Sequence, residues 1–320
     1  MRKLAVLIAT FCTAAACGAA DTYPAKPVRW LVPFPPGGGT DLISRTVAGK
    51  LSDAWGVQVV PDNRPGSGGT IGMNVAAKAP ADGYTIVLGQ ASNIAVAPGL
   101  YAKLPYDPVR DFQPVTQVIA APLVIVSHPS FPAKNARDLV ARAKAQPGAI
   151  TFGSPGNGTI GHLSMELLKS MANVDMLHIP YTGASRAITE LIGGQIVVYS
   201  SSMPPAVPLI HARKLKALGV TTGKRLKPLP DVPTVAESAV PGYEAVNWYG
   251  VFVPAGTPKD IVAKLHADIA RILKQPDVQN RFASEGGDVV ANTPDEFGAF
   301  IRSEIPKWTK VIRDSGARVD

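Results

Sequence analysis

Apolar residues alternate at Val28, Trp30 and Val32, which predicts a buried strand, and then recur with helical spacing at Ile43, Val47 and Leu51. Between the two runs lie Pro33, Pro35 and Pro36, which cannot continue a ladder. Gly37, Gly38 and Gly39 follow; they let the backbone turn sharply and leave its N–H groups uncovered. Thr40 or Asp41 is placed to cap the helix. A strand that feeds a helix start through bare glycines offers backbone donors and a positive dipole end, which together make an anion site. The device recurs at 150–168. Ile150 and Phe152 end a strand, Gly153, Gly156 and Gly158 turn the chain, and Thr159 caps a helix with Leu163, Leu167 and Met171 on one face. Two such cradles, far apart in one chain, predict one ligand held between two lobes.

Strands and helices alternate through the rest of the chain. Strands are predicted at 57–60, 84–88, 178–181, 195–200 and 215–220, and helices at 71–79, 137–145, 184–192 and 207–212. Residues 89–93 and 200–204 read as polar loops after strands, which puts Gln90, Ser92 and Ser201 at the carboxyl edge of a sheet, where ligands bind. The β-rich run 112–126, interrupted by Pro114 and Pro122, and the apolar run 247–254 read as two crossings between lobes. Paired crossings make the lobes discontinuous, 21–121 plus 243–320 and 122–242, and allow a hinge. Trp248 and Tyr249 fall in the return crossing and read as hinge packing. Near the end, Thr257 is expected to cap a helix with Leu265, Ile269 and Leu273 inward. Thr293 and Glu296 form a capping box for a last helix carrying Phe297, Ile301 and Trp308, with a bend at Pro306.

Composition narrows the class. A chain of 320 residues, 46% hydrophobic and 18% charged, is an ordinary globular protein with two domains as the natural prior. Arg2 and Lys3, the apolar run 4–16 and the small residues Gly18 and Ala20 come in the order of a secretory signal peptide, cleaved after Ala20. Both cysteines, Cys12 and Cys17, lie inside that segment, and lipid attachment at Cys17 ranks second to a soluble mature chain. The net charge of +8 falls to +6 when Arg2 and Lys3 are removed. Its cations are scattered without interleaved aromatics, so nucleic acid is not the expected partner. No histidine spacing suggests a metal set, and no cofactor is implied.

Several runs, taken in order, carry a family likeness: P-F-P-P-G-G-G-T-D at 33–41, N-R-P-G-S-G-G-T-I-G at 63–72 and G-S-P-G-N-G-T at 153–159 with His162. H-I-P-Y-T-G at 178–183, G-G-Q at 193–195 and G-T-P at 256–258 complete the set. Together they resemble the Bug-type substrate-binding proteins of tripartite tricarboxylate transporters (the TTT family). The resemblance implies an α/β, two-lobe periplasmic binding protein type II-like fold, each lobe a mixed sheet flanked by helices. It implies a monomer that captures a small carboxylate and delivers it to membrane permease subunits, without catalysis. Carried over by position, the first loop contributes Phe34, Gly38, Gly39, Thr40 and Asp41, and the second Ser154, Asn157, Gly158 and Thr159, with His162 nearby. Many relatives carry Asp two residues after G-G-Q, where this chain has Val197, and another in the following loop, where it has Ser200, Ser201 and Ser202. Asp41 is then the one obvious acid in the pocket loops. A plain mono- or dicarboxylate, aliphatic or aromatic, is therefore expected over an amino acid, whose ammonium would need a partner. The rivals are a secreted hydrolase using Ser154 and His162, although the G-x-S-x-G elbow is absent, and a ligand-sensing partner of a membrane receptor.

Overall fold

The computed structural model describes residues 23–37, 39–284 and 287–318. The signal segment, both cysteines and Gly38 lie outside the described residues. The chain runs β1 (Val28–Val32), α1 (Gly39–Trp55), β2 (Val59–Asn63), α2 (Thr70–Ala77), β3 (Thr85–Gln90) and α3 (Ala97–Leu100). It continues through β4 (Phe112–Ser127), α4 (Ala136–Ala145), β5 (Thr151–Ser154), α5 (Ile160–Ala172), β6 (Leu177–Pro180) and α6 (Ala184–Ile192). Then come β7 (Val198–Ser202), α7 (Met203–His211), β8 (Lys216–Val220), α8 (Val235–Ser238) and β9 (Val246–Pro254). The chain closes with α9 (Lys259–Leu273), α10 (Pro276–Ser284), β10 (Asp288–Val289) and α11 (Pro294–Ser315).

Two mixed sheets share one strand. In the first, β2, β1 and β3 are parallel, β9 runs antiparallel to β3 and β4, and β10 pairs with β4. In the second, β5, β6 and β7 are parallel, and β7 and β8 both pair antiparallel with the far end of β4. The exchange of partners falls at Pro122, paired with Val246 of β9, and Leu123, paired with Ser202 of β7. Proline offers no N–H to a ladder, and the register of β4 also slips beside Pro114, between Pro114 and Thr116. Buried Thr221 joins the two crossings. Its N–H and hydroxyl both donate to Leu123 O at 3.0 Å, and its carbonyl accepts from Ala245 N at 2.9 Å.

Helices cover both sheets, and the buried residues follow the pattern of the sequence where the apolar stripe is clean. Ile43, Val47 and Leu51 of α1 and Leu265, Ile269 and Leu273 of α9 pack with Val28, Trp30 and Val32. A larger core joins Leu31 and Val87, through Phe297 and Trp308 of α11, to Leu163 and Leu168 of α5. Trp248 is fully buried against Phe297 and Phe300 of α11. Its indole and that of Trp308 both donate to buried Glu304, whose other oxygen accepts from Lys307.

Several expectations need correction. Residues 89–93 are not a loop: β3 runs on to Gln90 because Gly89 and Gln90 pair with Gly250 and Tyr249 of β9, and a π-helical turn follows at Ser92–Val96. Ser200 to Ser202 belong to β7, held by Leu123 to Ile125 of β4. Thr257 does not cap α9. Pro258 occupies that position, and the Thr257 hydroxyl donates to Pro254 O. The inward face of α5 is rotated, so that Met171 is 42% exposed while His162, Ser164 and Glu166 are buried. α11 runs unbroken through Pro306 from an intact Thr293–Glu296 capping box. α10 and β10 were not anticipated.

Candidate functional site

The loops at the carboxyl ends of β1, β3, β5 and β7 face one another across a cleft of about 640 Å³. Phe34 to Gly37, Gly39 and Thr40 supply one wall, together with Gln90, Ser92, Leu100 and Tyr101. Pro155, the run from Asn157 to Gly161, Tyr199, Ser200 and Ser202 supply the other. Gly183 to Ser185 close one side, and Asn247 and Tyr249 of β9 form part of the floor. No aspartate, glutamate, lysine, arginine or histidine is among the described lining residues. Instead, α1, α5 and α6 all begin at the cleft. Their first-turn amides have no intrahelical acceptor, and their dipoles present positive ends.

Asp41 stands in the first turn of α1, where the chain turns out of β1, and it serves this loop without lining the cleft. One oxygen accepts from Gly37 N at 3.0 Å and Arg45 Nε at 2.9 Å, and the other from Asn63 Nδ2 at 3.0 Å. Asn63 Nδ2 also donates to Phe34 O. Burial pushes the Asp41 carboxyl upward, but the hydrogen bonds from Arg45, Gly37 and Asn63 outweigh it and hold it at about 2. It is therefore not a free acid for a ligand's ammonium. Thr40 Oγ1 reaches Gln90 Oε1 at 3.5 Å, and Gln90 Nε2 donates to Ser92 Oγ at 3.0 Å, so these three make one polar strip.

The second loop is held from behind. Ser154 is fully buried, with Oγ 2.7 Å from His178 Nε2 and 3.1 Å from Gly156 N. It pairs with His178 rather than His162, and neither Ser154 nor His162 lines the cleft, which corrects the hydrolase arrangement. His162 Nδ1 accepts the Gly158 N–H at 3.1 Å, which places its proton on Nε2, facing Glu166 at 3.7 Å. The rings of His162 and His178 stack with centroids 3.9 Å apart, and Phe152 continues the stack. Thr159 caps α5 as expected, but its hydroxyl is taken up by Gly156 O and His162 N. Asn157 is exposed at the rim. Ser201 is buried away from the cleft and bonded to Ser202 O.

Burial drives His162 down to about 3 and His178 down to about 4, with Lys169 adding to both and His178 to His162. Both stay neutral in the fold while their unfolded counterparts gain protons below about pH 6.5. Stability is therefore full above that pH and is lost as pH falls toward 4. The slope is at most about 1.4 kcal/mol per pH unit for a fully shielded imidazole, and less for the half-buried His178. Melting followed by circular dichroism between pH 7 and 4.5 should show this decline, shallower in His178→Gln. Identical slopes in the two proteins would count against it.

The sequence reading missed the α6 start, Leu100, Tyr101 and the role of Tyr249, and from the serine run it singled out Ser201 rather than Ser200. The α6 start was within reach, since β6, Gly183 and α6 repeat the strand–glycine–helix device a third time. Leu100 and Tyr249 arrive through long-range packing.

A family model described as the tripartite tricarboxylate transporter family receptor matches residues 43–317. The protein BugT of Bordetella pertussis is 37% identical over 323 residues, covering 100% of this chain and 99% of its own. Among solved structures, the R. palustris protein Rpa4515 with adipate is 34% identical, with a TM-score of 0.83 over 93% of this chain and 100% of that one. MatC of Rhodopseudomonas palustris with bound malate is 31% identical, with a TM-score of 0.79 over 91% of this chain and 100% of that one.

Proposed function

Since this chain belongs to the receptor family of tripartite tricarboxylate transporters, and is a carboxylate-binding protein rather than an enzyme, we propose that it captures a plain mono- or dicarboxylate. The ligand lies between a lobe of residues 21–121 plus 243–320 and a lobe of residues 122–242. The protein works in the periplasm as a monomer once residues 1–20 are removed, and hands its ligand to membrane permease subunits. The observation that carries this reading is a cleft with three helix starts and no ionised side chain in its described lining. Backbone amides and hydroxyls can hold a carboxylate there, but no described lining residue is an acid that would pair an ammonium. Adipate and malate, bound by two similar proteins, are carboxylates of this kind. The exchange of partners along β4 and the Thr221 junction support the lobe boundaries and a hinge.

Calorimetric titration of the secreted protein with adipate, malate, succinate and benzoate, beside aspartate and glutamate, tests the reading. Stoichiometric, saturable binding of at least one plain carboxylate is expected, with the ligand recovered intact and the two amino acids weaker. Tight binding of aspartate or glutamate with no response to the others would overturn it.

A further inference from the structure

We propose that the second lobe grips its carboxylate through Ser200 Oγ and the amides of Ile160 and Gly161, and not through the hydroxyls of Ser154 or Thr159. This rests on the carboxylate-binding reading above. Apart from Asn157, exposed at the rim, the loop's polar side chains are committed. Ser154 is paired with His178, the Gly158 amide with His162, and the Thr159 hydroxyl with Gly156 and the third amide of α5. That leaves the first two amides of the helix, Ile160 and Gly161, without an intrahelical acceptor, and both residues line the cleft.

Ser200 stands beside them. It is 1% exposed, it lines the cleft, and its carbonyl lies 3.0 Å from where a Cβ on Gly161 would sit. A side chain at position 161 would force this turn of α5 away from β7, so glycine there keeps hydroxyl and amides together. Ser164, fully buried behind, has one proton and two acceptors: Ser200 Oγ at 2.7 Å and Gly161 O at 3.0 Å. When Ser164 donates to Ser200, the Ser200 proton is released toward the cleft and meets a carboxylate oxygen. The Ser164 carbonyl is itself fixed by the Tyr243 hydroxyl at 2.9 Å. Ser200 is thus a binding residue and Ser164 a positioning residue. Ser201, one position along β7, faces the other way and takes no part.

The test titrates adipate, malate and benzoate into wild type, Ser200→Ala, Ser164→Ala and Ser201→Ala. Ser200→Ala should weaken whichever of these carboxylates binds by about tenfold to a hundredfold, the loss of one hydrogen bond to a charged group. Ser164→Ala should weaken it less, Ser201→Ala less than twofold, and Ser200→Thr, which keeps the hydroxyl, should recover part of the loss. Unchanged affinity in Ser200→Ala while wild type binds would overturn the subsite and leave the functional reading standing. A wild type that binds none of the three, nor succinate, overturns the functional reading, and the subsite falls with it. If Ser200→Ala fails to fold, a crystal structure of wild type with adipate decides. A carboxylate oxygen within hydrogen-bond reach of Ser200 Oγ and the two amides supports the assignment, and a carboxylate bound elsewhere removes it.

Discussion

Gly158→Ala is expected to lower affinity for a carboxylate by about tenfold or more and to destabilise the fold by about 1–2 kcal/mol. Gly158 sits at φ +72°, where an L side chain is strained. A Cβ there would stand 2.1 Å from Leu100 Cδ2 and 3.4 Å from Leu100 Cγ. Leu100 approaches from the opposite wall of the cleft, so this glycine lies where the two walls come together. The added methyl must either swing Leu100 aside or push the loop back, and the loop is tied to His162 through its amide. Leu100→Ala makes room. The double variant should therefore recover part of the affinity that Gly158→Ala alone loses, while the backbone strain remains. Gly158→Ala binding as tightly as wild type in calorimetric titration would show that the liganded protein does not use this contact.

The second large effect is expected from Asp41→Ala. Removing the carboxylate strands the Gly37 amide, one Asn63 donor and Arg45 Nε together. Arg45 and Gly37 are exposed enough to turn to water, so the cost falls mainly on half-buried Asn63 and on the loosened loop, about 1–3 kcal/mol in all. The loop from Phe34 to Thr40 then loses the anchor that orders its amides, and affinity should fall about tenfold to a hundredfold although Asp41 does not line the cleft. Asp41→Asn keeps the shape and one acceptor, so it should fall between the two. The linkage sign separates Asp41 from the histidine pair. A carboxyl held at about 2 contributes stability that is present above about pH 4 and is lost only as pH falls through 2. Acidification from pH 7 to 5 should therefore reveal the histidines and leave the Asp41 contribution intact. An Asp41→Ala protein with wild-type melting temperature and affinity would remove the anchor role.

What could be read from the residues depended on whether a position's partner is near in sequence. α1 was legible because Ile43, Val47 and Leu51 form a clean stripe and the glycine turn before it is local. α5 was placed correctly, yet its inward face was not. That face carries His162, Ser164 and Glu166; Ser164 bonds to Ser200 of β7 and His162 stacks on His178 of β6, partners that the helix's own periodicity does not show. The extension of β3 through Gly89 and Gln90 exists only because β9 pairs with it from more than a hundred residues away. Parity decided the serine run. Side chains alternate along a strand, so reading 200–202 as a loop left nothing to separate Ser200 from Ser201. Gly39, Thr40 and Gly158 reach the cleft wall because a bare turn before a helix is a local feature, whereas Asp41, Ser154 and His162 brace those turns from behind.

A binding site whose described wall has no side chain ionised at neutral pH carries no built-in counter-ion. Loading such a receptor adds the cargo's whole negative charge to the particle, and unloading returns it. Filled and empty molecules should consequently focus at different positions in a pH gradient, the filled form toward acid, by an amount that counts the charges on whatever was carried.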